Sequence, residues 1–411
     1  MTKILISHEY WILLYGHCYI KKSNNLFRGK DLLSIFAARI KFSRMNMNKF
    51  VVLAAFMLLL SACGGHKHTP FETKIHASLE RSLTWRNDST GIWETAGWWN
   101  SANLLTAVIR YADVTKNKGE VLPVIEDVFE KARHYPVADS TGALHHYCDN
   151  FINDYYDDEG WWALAWIDAF RLTNDTKYLK MAEVIFQDMT TGWSDDVHGG
   201  GIFWKKNPLH YKNSIANNLF ALTAIRLYND TGKEEYADWF KKEVNWYLQT
   251  GMYNTEINQI EDGLMEDGTP NRERHYTYNQ GVAIAVLTEM YLYSHDKKFL
   301  NMAEDIAKAT ITKELVNENG ILCEMNPNVA KGNDGVQFKG IFIRHLGFLY
   351  ETTNNPIYKE FIIKNAESII TKDFDPESMS FGCYWYGPFQ AVNAAANSSA
   401  LECVIEAQAI Y

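Results

Sequence analysis

Four polar turns divide most of the chain into segments of nearly equal length. An aromatic residue follows each turn, at Tyr178, Tyr236, Phe299 and Tyr358, with separations of 58, 63 and 59 residues. A fainter copy of the turn lies at residues 113–117. This spacing predicts that one structural unit of about 60 residues recurs along the chain.

Two kinds of helical pattern alternate around these turns. Segments that are apolar on all sides predict buried helices, and they cover residues 98–111, 161–172, 215–228, 281–293, 340–350 and 394–411. Amphipathic segments predict helices that lie outside the first set, as at residues 121–134, 236–248 and 299–312. We therefore predict an all-α fold, an (α/α)6 barrel of alternating inner and outer helices. An open solenoid is the alternative, and six units favour closure.

The N-terminal region has the pattern of a secretory lipoprotein signal. Asn48 and Lys49 precede an apolar run at residues 50–60, and Leu-Ser-Ala-Cys follows at residues 60–63. We expect a signal peptide over residues 47–62, lipidation of Cys63 and a tether over residues 63–80. An ordinary secretory signal with an incidental cysteine is the alternative. Residues 1–46 are interpreted as an upstream extension, which leaves a single barrel domain over residues 81–411.

This signal predicts a lipid-anchored protein of the bacterial cell envelope that contacts the membrane through Cys63. The residues after Cys63 are Gly-Gly-His-Lys-His rather than an acidic run, which favours a periplasm-facing anchor over the cell surface. The net charge of −10 and the absence of a basic patch argue against nucleic-acid partners. Four scattered cysteines remain after Cys63; a disulfide is optional, and Cys383 with Cys403 is the preferred pair. We expect a monomer.

Consecutive carboxylates, Asp157 and Asp158, stand at the start of the second apolar segment, between two tyrosines and two tryptophans. Glycosidic-bond cleavage requires one ionised carboxylate beside one that holds a proton, and aromatic rings are platforms for sugars. A helix N-terminus stabilises the charged carboxylate, whose charge then raises the pKa of its neighbour. The alternative is a pair of helix-capping aspartates.

The inner helices of such a barrel run parallel, so their N-terminal ends meet at one rim. Amide and aromatic side chains gather at these predicted ends and suit a polyhydroxylated ligand; the alternative is that they are caps or packing residues. The candidate ligand-binding residues at this rim are Trp99, Asn100, Tyr156, Asn217, Asn218, Tyr278, Asn279, Gln280, Lys339, Trp385 and Tyr386.

The motif Tyr-Asp-Asp-x-x-Trp-Trp-x-Leu-Ala at residues 156–165 resembles the catalytic signature of glycoside hydrolase family 76, the endo-α-1,6-mannanases, which are (α/α)6 barrels. Further matching segments lie at residues 199–204, 212–218, 278–281 and 338–344, in family order. The resemblance runs from about Trp98 to the end and adds Trp204 and Arg344 to the candidate substrate-binding residues. It implies that Asp157 is the nucleophile and Asp158 the acid/base, with retention of configuration. Residues 387–390 depart from the Gly-rich stretch typical of the family, which leaves the distal sugar subsites undefined.

The expected function is therefore a retaining endo-α-1,6-mannanase whose partner is a mannan polysaccharide or oligosaccharide, with no metal and no cofactor. One alternative is a transglycosylase on mannose-containing glycans, and another is a lipoprotein that binds glycans without catalysis. Sugar isomerases and epimerases use the same barrel but rely on a histidine pair at the rim, which no inner-helix start supplies. The pairs around His66 and His145 are expected to be, respectively, a solvated linker and packed or exposed rings.

Overall fold

The computed structural model describes residues 69–138, 144–207, 211–324, 334–390 and 392–411, together with the backbone of four strands in the N-terminal region. Its contacts divide the chain into two units, residues 1–68 and 69–411. The predicted signal peptide at residues 47–62, Cys63 and His66 lie outside the described residues.

The first unit contains an antiparallel sheet in the order β1-β2-β3-β4. Its strands are Ile4–Ser7, Tyr10–Tyr15, His17–Lys22 and Asn25–Arg28. The sequence analysis predicted no fold for this segment, because its apolar residues follow no helical period.

The second unit contains twelve α-helices within its described residues. The inner helices are α2 (Trp98–Thr115), α4 (Tyr156–Thr173), α6 (Ser214–Thr231), α8 (Thr277–Ser294), α10 (Asp334–Thr353) and α12 (Ala394–Ile410). The outer helices are α1 (Glu72–Thr84), α3 (Leu122–Ala132), α5 (Thr176–Met189), α7 (Glu234–Tyr247), α9 (Lys297–Thr312) and α11 (Pro356–Lys372). Each inner helix contacts the next, and α12 contacts α2. This closed ring confirms the predicted (α/α)6 barrel.

Short strands lie in the connections between an outer helix and the next inner one. They are β5 (Pro136–Ala138), β6 (Leu144–His146), β7 (Lys212–Asn213), β8 (Tyr253–Asn254), β9 (Gln259–Ile260), β10 (Gly263–Leu264), β11 (Phe374–Asp375) and β12 (Ser380–Phe381). They form two-stranded antiparallel pairs at the rim where the inner helices begin: β5–β6, β8–β9 and β11–β12 are hairpins within one connection, whereas β7 and β10 pair between two connections.

Helix α1 corrects the predicted tether. Residues 63–80 were expected to be a linker, but Ile75 and Leu79 of α1 are fully buried, and Ser78 donates a 2.9 Å hydrogen bond to Asn397 of α12. The unit that contains the barrel therefore begins before residue 81, at Thr69. The sequence did not predict α1 because no inner helix precedes it; its inner-helix contact is α12, at the other end of the domain.

The four polar turns have the predicted position and a shared geometry. The inner helix ends at a left-handed residue, namely Asn174, Gly232, His295 or Asn354. In three of the four turns the next residue caps the outer helix: Asp175, Asp296 and Asn355 each accept a hydrogen bond from the backbone amide two residues later. The polar composition of these turns thus follows from helix termination and capping.

Burial agrees with the two helix classes. Trp162 and Trp166 of α4 are fully buried, as expected for a helix that is apolar on all sides.

The cysteines of the described residues form no disulfide. Cys148, Cys323, Cys383 and Cys403 are free thiols, so the predicted Cys383–Cys403 pair is wrong. Among the described residues, no helix has both the length and the apolar content to cross a bilayer.

Candidate active site

Asp157 and Asp158 lie in the first turn of inner helix α4, directly after the extended residue Tyr155. Trp204 donates a 2.9 Å hydrogen bond from its indole nitrogen to Asp157 Oδ2, and the amide of Asp158 donates to Asp157 Oδ1 at 3.1 Å. Asn153 donates from Nδ2 to Asp158 Oδ2 at 2.7 Å. The two carboxyl groups are therefore held by different partners.

Burial raises the pKa of both carboxyl groups. The pKa of Asp157 rises to about 7, and the hydrogen bond from Trp204 opposes this rise. The pKa of Asp158 is raised well above its ordinary value by burial and, next, by the negative charge of Asp157. Asp158 thus holds its proton more firmly, and Asp157 is the carboxyl group that ionises first.

Asn153 positions this pair from the preceding loop. The side chain is buried, its oxygen accepts a 2.9 Å hydrogen bond from the Tyr155 amide, and its nitrogen donates to Asp158. One side chain thus fixes both the start of α4 and the orientation of Asp158. Asn153 was not among the predicted site residues, although an Asn two residues before a helix N-cap is a typical Asx-turn signal.

An aromatic row extends from the aspartates across the rim. Trp99 is stacked on Trp161 at 5.8 Å and on Phe338 at 6.1 Å, and Phe338 stacks on Tyr278 at 3.9 Å between ring centroids. These rings come from α2, α4, α10 and α8, so they bring four inner-helix starts together. Stacked rings of this kind provide an apolar face for a sugar ring.

Two further acids, which the sequence analysis did not predict, flank the row. Asp334, the exposed first residue of α10, accepts a 3.0 Å hydrogen bond from the Trp99 indole, and its charge contributes to raising the pKa of both catalytic candidates. Asp262 accepts a 2.7 Å hydrogen bond from the Tyr211 hydroxyl and faces Asn279 at 3.4 Å. Neither acid stands among aromatic residues in the sequence, although Glu261 directly precedes Asp262, and the closed ring brings both to the site.

Several predicted ligand-binding residues instead hold the rim loops. The buried Asn217 accepts a hydrogen bond from the Ile202 amide and donates to its carbonyl, at 2.8 and 3.0 Å. Gln280 makes the same pair of bonds to Ile260, at 2.8 and 2.9 Å. Asn218 donates to the Ser214 carbonyl inside α6 at 2.9 Å. Asn217 and Gln280 thus hold loops at the rim, and Asn218 is bonded within its own helix, so all three side chains have protein partners in place of the predicted ligand role.

The remaining candidates divide between the rim and the interior. Asn100 is buried and donates to Gln337 at 2.6 Å, and the Tyr156 hydroxyl lies 3.0 Å from Thr191. Lys339 is also buried and donates to the Cys383 carbonyl at 2.7 Å. Its ammonium group lies against the ring of Trp385, which is fully buried. Lys339 and Trp385 therefore belong to the core of the barrel. Tyr386 is exposed.

Arg344 lies in the middle of inner helix α10, below the rim, where it donates to Asn103 at 2.6 Å. It is ten residues beyond Asp334 in the same helix, which places it about 15 Å further along the axis. Arg344 therefore lies deeper in the barrel than the predicted rim position, and its assignment to the substrate stays a prediction. Within the described residues, no group of three or more His, Cys, Asp or Glu side chains is placed to hold a metal ion.

Comparison with known proteins agrees with this geometry. A sequence profile described as glycosyl hydrolase family 76 matches residues 77–411. The chain belongs to this family. The resemblance inferred from the motif at residues 156–165 is thereby confirmed.

The chain is also similar to curated fungal enzymes. The mannan endo-1,6-alpha-mannosidase DCW1 of Saccharomyces cerevisiae is 27% identical over 207 residues, which cover 46% of this chain and 45% of the relative. The enzyme of the same name from Candida albicans is 25% identical over 298 residues, or 67% of this chain and 61% of the relative. The chain thus spans about half the length of the curated relatives it matches.

A solved family 76 structure supports the fold independently. It is the alpha-1,6-mannanase GH76A of Salegentibacter sp. HEL1_6, an inactive variant with two aspartates replaced, in complex with alpha-1,6-mannotetrose. It superimposes with a TM-score of 0.73 at 22% identity, covering 84% of this chain and 100% of that one. At this identity the likeness establishes the shared barrel.

Proposed function

We propose that this protein is a retaining, endo-acting glycoside hydrolase that cleaves α-1,6-mannosidic linkages in mannan-type polysaccharide. The observation that carries the proposal is the unequal environment of the two carboxyl groups. Asp157 accepts hydrogen bonds on both oxygens, whereas the more strongly proton-holding Asp158 accepts one bond from Asn153.

This inequality supports a separate role for each carboxyl group. Asp158 donates its proton to the glycosidic oxygen while Asp157 attacks the anomeric carbon, so the C–O bond breaks and a β-linked mannosyl ester forms on Asp157. The Asp158 carboxylate then removes a proton from water, which attacks the same carbon and releases Asp157. Two inversions return the α-anomer.

The substrate class is supported by the rim and by the family. The row of Trp99, Phe338 and Tyr278 offers apolar faces, and Asp262 and Asp334 offer acceptors for hydroxyl groups beside it. Relatives in the family are named mannan endo-1,6-alpha-mannosidases. The proposed ligand is therefore a run of α-1,6-linked mannose units lying across the aromatic row.

Azide rescue separates the two roles. Asp158→Ala should retain turnover of an aryl α-mannoside whose leaving group needs no protonation, and azide should accelerate it and give the α-mannosyl azide. Asp157→Ala with azide should give only the β-mannosyl azide, because one inversion remains. The reverse pattern of anomers would exchange the roles, and α-azide from both variants would contradict the mechanism.

Transglycosylation would show in the products. With linear α-1,6-mannan and an added mannobiose acceptor, we expect reducing oligosaccharides and no elongated acceptor. Acceptor elongation as the main reaction would instead identify a transglycosylase. Binding without any product would identify a glycan-binding protein.

We also propose that Cys63 carries a lipid that anchors a monomeric enzyme in the bacterial cell envelope, facing the periplasm. The support is the Leu-Ser-Ala-Cys sequence at residues 60–63 after an apolar run. Metabolic labelling with an alkyne fatty acid should mark the wild type but not Cys63→Ser. Equal labelling of both would contradict the anchor.

A further inference from the structure

The segment that carries Trp204 is joined to the start of α4 by a short backbone ladder. The Tyr156 amide donates to the Trp204 carbonyl at 3.0 Å, and two residues further on the Lys206 amide donates to the Asp154 carbonyl at 2.9 Å. This ladder brings the Trp204 indole nitrogen to 2.9 Å from Asp157 Oδ2. A short pair of strands is marginally stable on its own in water, so side-chain contacts decide how firmly the segment is held.

The side chain of Lys206 anchors the end of this ladder to the barrel. Its ammonium group lies 2.8 Å from Glu159 Oε1 and 2.6 Å from Asp188 Oδ2. The same group lies 5.3 Å from the centre of the Tyr156 ring. Glu159 belongs to the first turn of α4 and Asp188 to the last turn of α5, so one lysine joins the Trp204 segment to two helices.

Glu159 is fully buried, although it directly follows Asp157 and Asp158 in the sequence. Within the described residues no hydrogen bond reaches either of its carboxyl oxygens, so Lys206 supplies the positive charge that compensates it. Burial raises the pKa of Glu159 well above its ordinary value, and the charge of Lys206 opposes this rise. Breaking a buried ion pair is strongly unfavourable, so Glu159 holds the Lys206 side chain in place.

We infer that Lys206, held by Glu159, is a positioning residue that keeps the Trp204 indole on Asp157. Lys206 acts through Trp204 rather than on the sugar, and the catalytic steps described above use neither Lys206 nor Glu159. The inference rests on the proposed function, in which Asp157 is the nucleophile.

The titratable groups that face Asp157 come from three helices. Asp158 lies beside it in α4, Asp334 of α10 acts on it through its charge, and Tyr278 of α8 faces it. Loss of the Lys206 ammonium group leaves all three in place. It therefore changes Asp157 through the Trp204 segment or through the uncompensated charge of Glu159, and these two routes give different results.

The indole N–H of Trp204 reports on Asp157 without turnover. In protein labelled with ¹⁵N-tryptophan, its NMR cross-peak is the one that disappears in Trp204→Phe. Burial raises the pKa of Asp157 to about 7, so this peak should titrate near that pH. In Lys206→Met the inflexion should move up by roughly 0.5 to 1 pH unit, because a weakened indole bond stabilises the carboxylate less. An inflexion at the wild-type pH would overturn the inference.

A second variant separates the two routes. Lys206→Met combined with Glu159→Gln leaves no uncompensated carboxylate, and the inflexion should still move to higher pH. A return to the wild-type position would show that the charge of Glu159 caused the shift, and the inference would fail. The double variant decides the question also where Lys206→Met alone does not fold.

Lys233→Met is the matched control. It removes a similar lysine–glutamate pair, with Glu183 of α5, from the turn after α6 at the opposite end of the barrel. The Trp204 inflexion should stay at the wild-type pH. An equal shift in this variant would trace the effect to net charge and would overturn the inference.

The pH dependence of turnover links the ladder to the proposed reaction. On linear α-1,6-mannan, Lys206→Met and Trp204→Phe should each move the acid limb of kcat/KM to higher pH. The variant with both changes should move it no further than Trp204→Phe alone, because Lys206 acts through Trp204. Additive shifts would overturn the inference. A wild type without turnover would contradict the proposed function instead, and the NMR titration would still decide whether Lys206 positions Trp204.

Discussion

The Trp204 indole nitrogen donates a 2.9 Å hydrogen bond to Asp157, while its neighbour Asp158 is bound instead by the amide of Asn153. Adjacent carboxyl groups in one buried helix turn would otherwise compete equally for a proton. The indole bond biases the first ionisation toward Asp157. A difference of partners thus separates a nucleophile from an acid/base.

Trp204→Phe should weaken catalysis and shift its pH dependence. Without the indole bond, the raised pKa of Asp157 rises further, so less of it is ionised at neutral pH. We expect kcat/KM to fall about 10- to 100-fold, at a cost of roughly 1 to 3 kcal/mol. The acid limb of the kcat/KM profile should move to higher pH, measured with linear α-1,6-mannan. An unmoved acid limb would remove Trp204 from this role.

Asp158→Asn should stabilise the fold at neutral pH. The folded pKa of Asp158 lies well above its unfolded value, so the folded state binds more protons and stability falls as pH rises through that window. The Asn variant lacks this loss, and its free energy of unfolding should exceed the wild type's by about 1 kcal/mol at pH 8. Near pH 3 the two should coincide. Urea unfolding at both pH values measures the difference, and an equal or lower stability at pH 8 would contradict it.

The sequence predicted the helices and turns of the barrel well because these depend on local signals. Apolar periodicity sets which helices are inner, and residues such as Asn174 and Asp175 end one helix and cap the next. Side-chain direction within the rim depends on contacts with distant loops. Asp157 therefore lies where the sequence predicted it, at the start of an inner helix. Gln280 was predicted to bind the ligand, but its side chain binds the backbone of Ile260.

The hydrogen bonds between the Gln280 side chain and the Ile260 backbone should contribute to the free energy of unfolding. Gln280→Ala leaves the buried amide and carbonyl of Ile260 without their side-chain partner, and we expect a loss of about 2 to 4 kcal/mol. The matched control is Gln187→Ala, an exposed glutamine of α5, which should change stability by less than about 0.5 kcal/mol. Chemical denaturation compares the two; equal effects would mean that these hydrogen bonds contribute nothing.

Three of the four aromatic residues that follow the polar turns donate a hydrogen bond to a glutamate of the preceding outer helix. Tyr178, Tyr236 and Tyr358 donate to Glu126, Glu183 and Glu304, which lie 52, 53 and 54 residues earlier. Phe299 stands at the corresponding place without a hydroxyl, and Asn245 lies 54 residues before it.

Introducing the same Tyr–Glu hydrogen bond at Phe299 should stabilise the barrel. The double change Phe299→Tyr with Asn245→Glu should add about 0.5 to 1 kcal/mol to the free energy of unfolding. Asn245→Glu alone, the control, should have little effect. A double variant no more stable than the single one would show that this repeat has a different geometry.

Configuration of the first product tests the central claim most directly. Proton NMR of linear α-1,6-mannan, recorded within the first minutes of hydrolysis, should show new reducing ends as the α-anomer, with the β-anomer appearing later by mutarotation. This result follows from a covalent intermediate on Asp157 and proton transfer by Asp158. A β-anomer formed first would show a single displacement and would contradict the account.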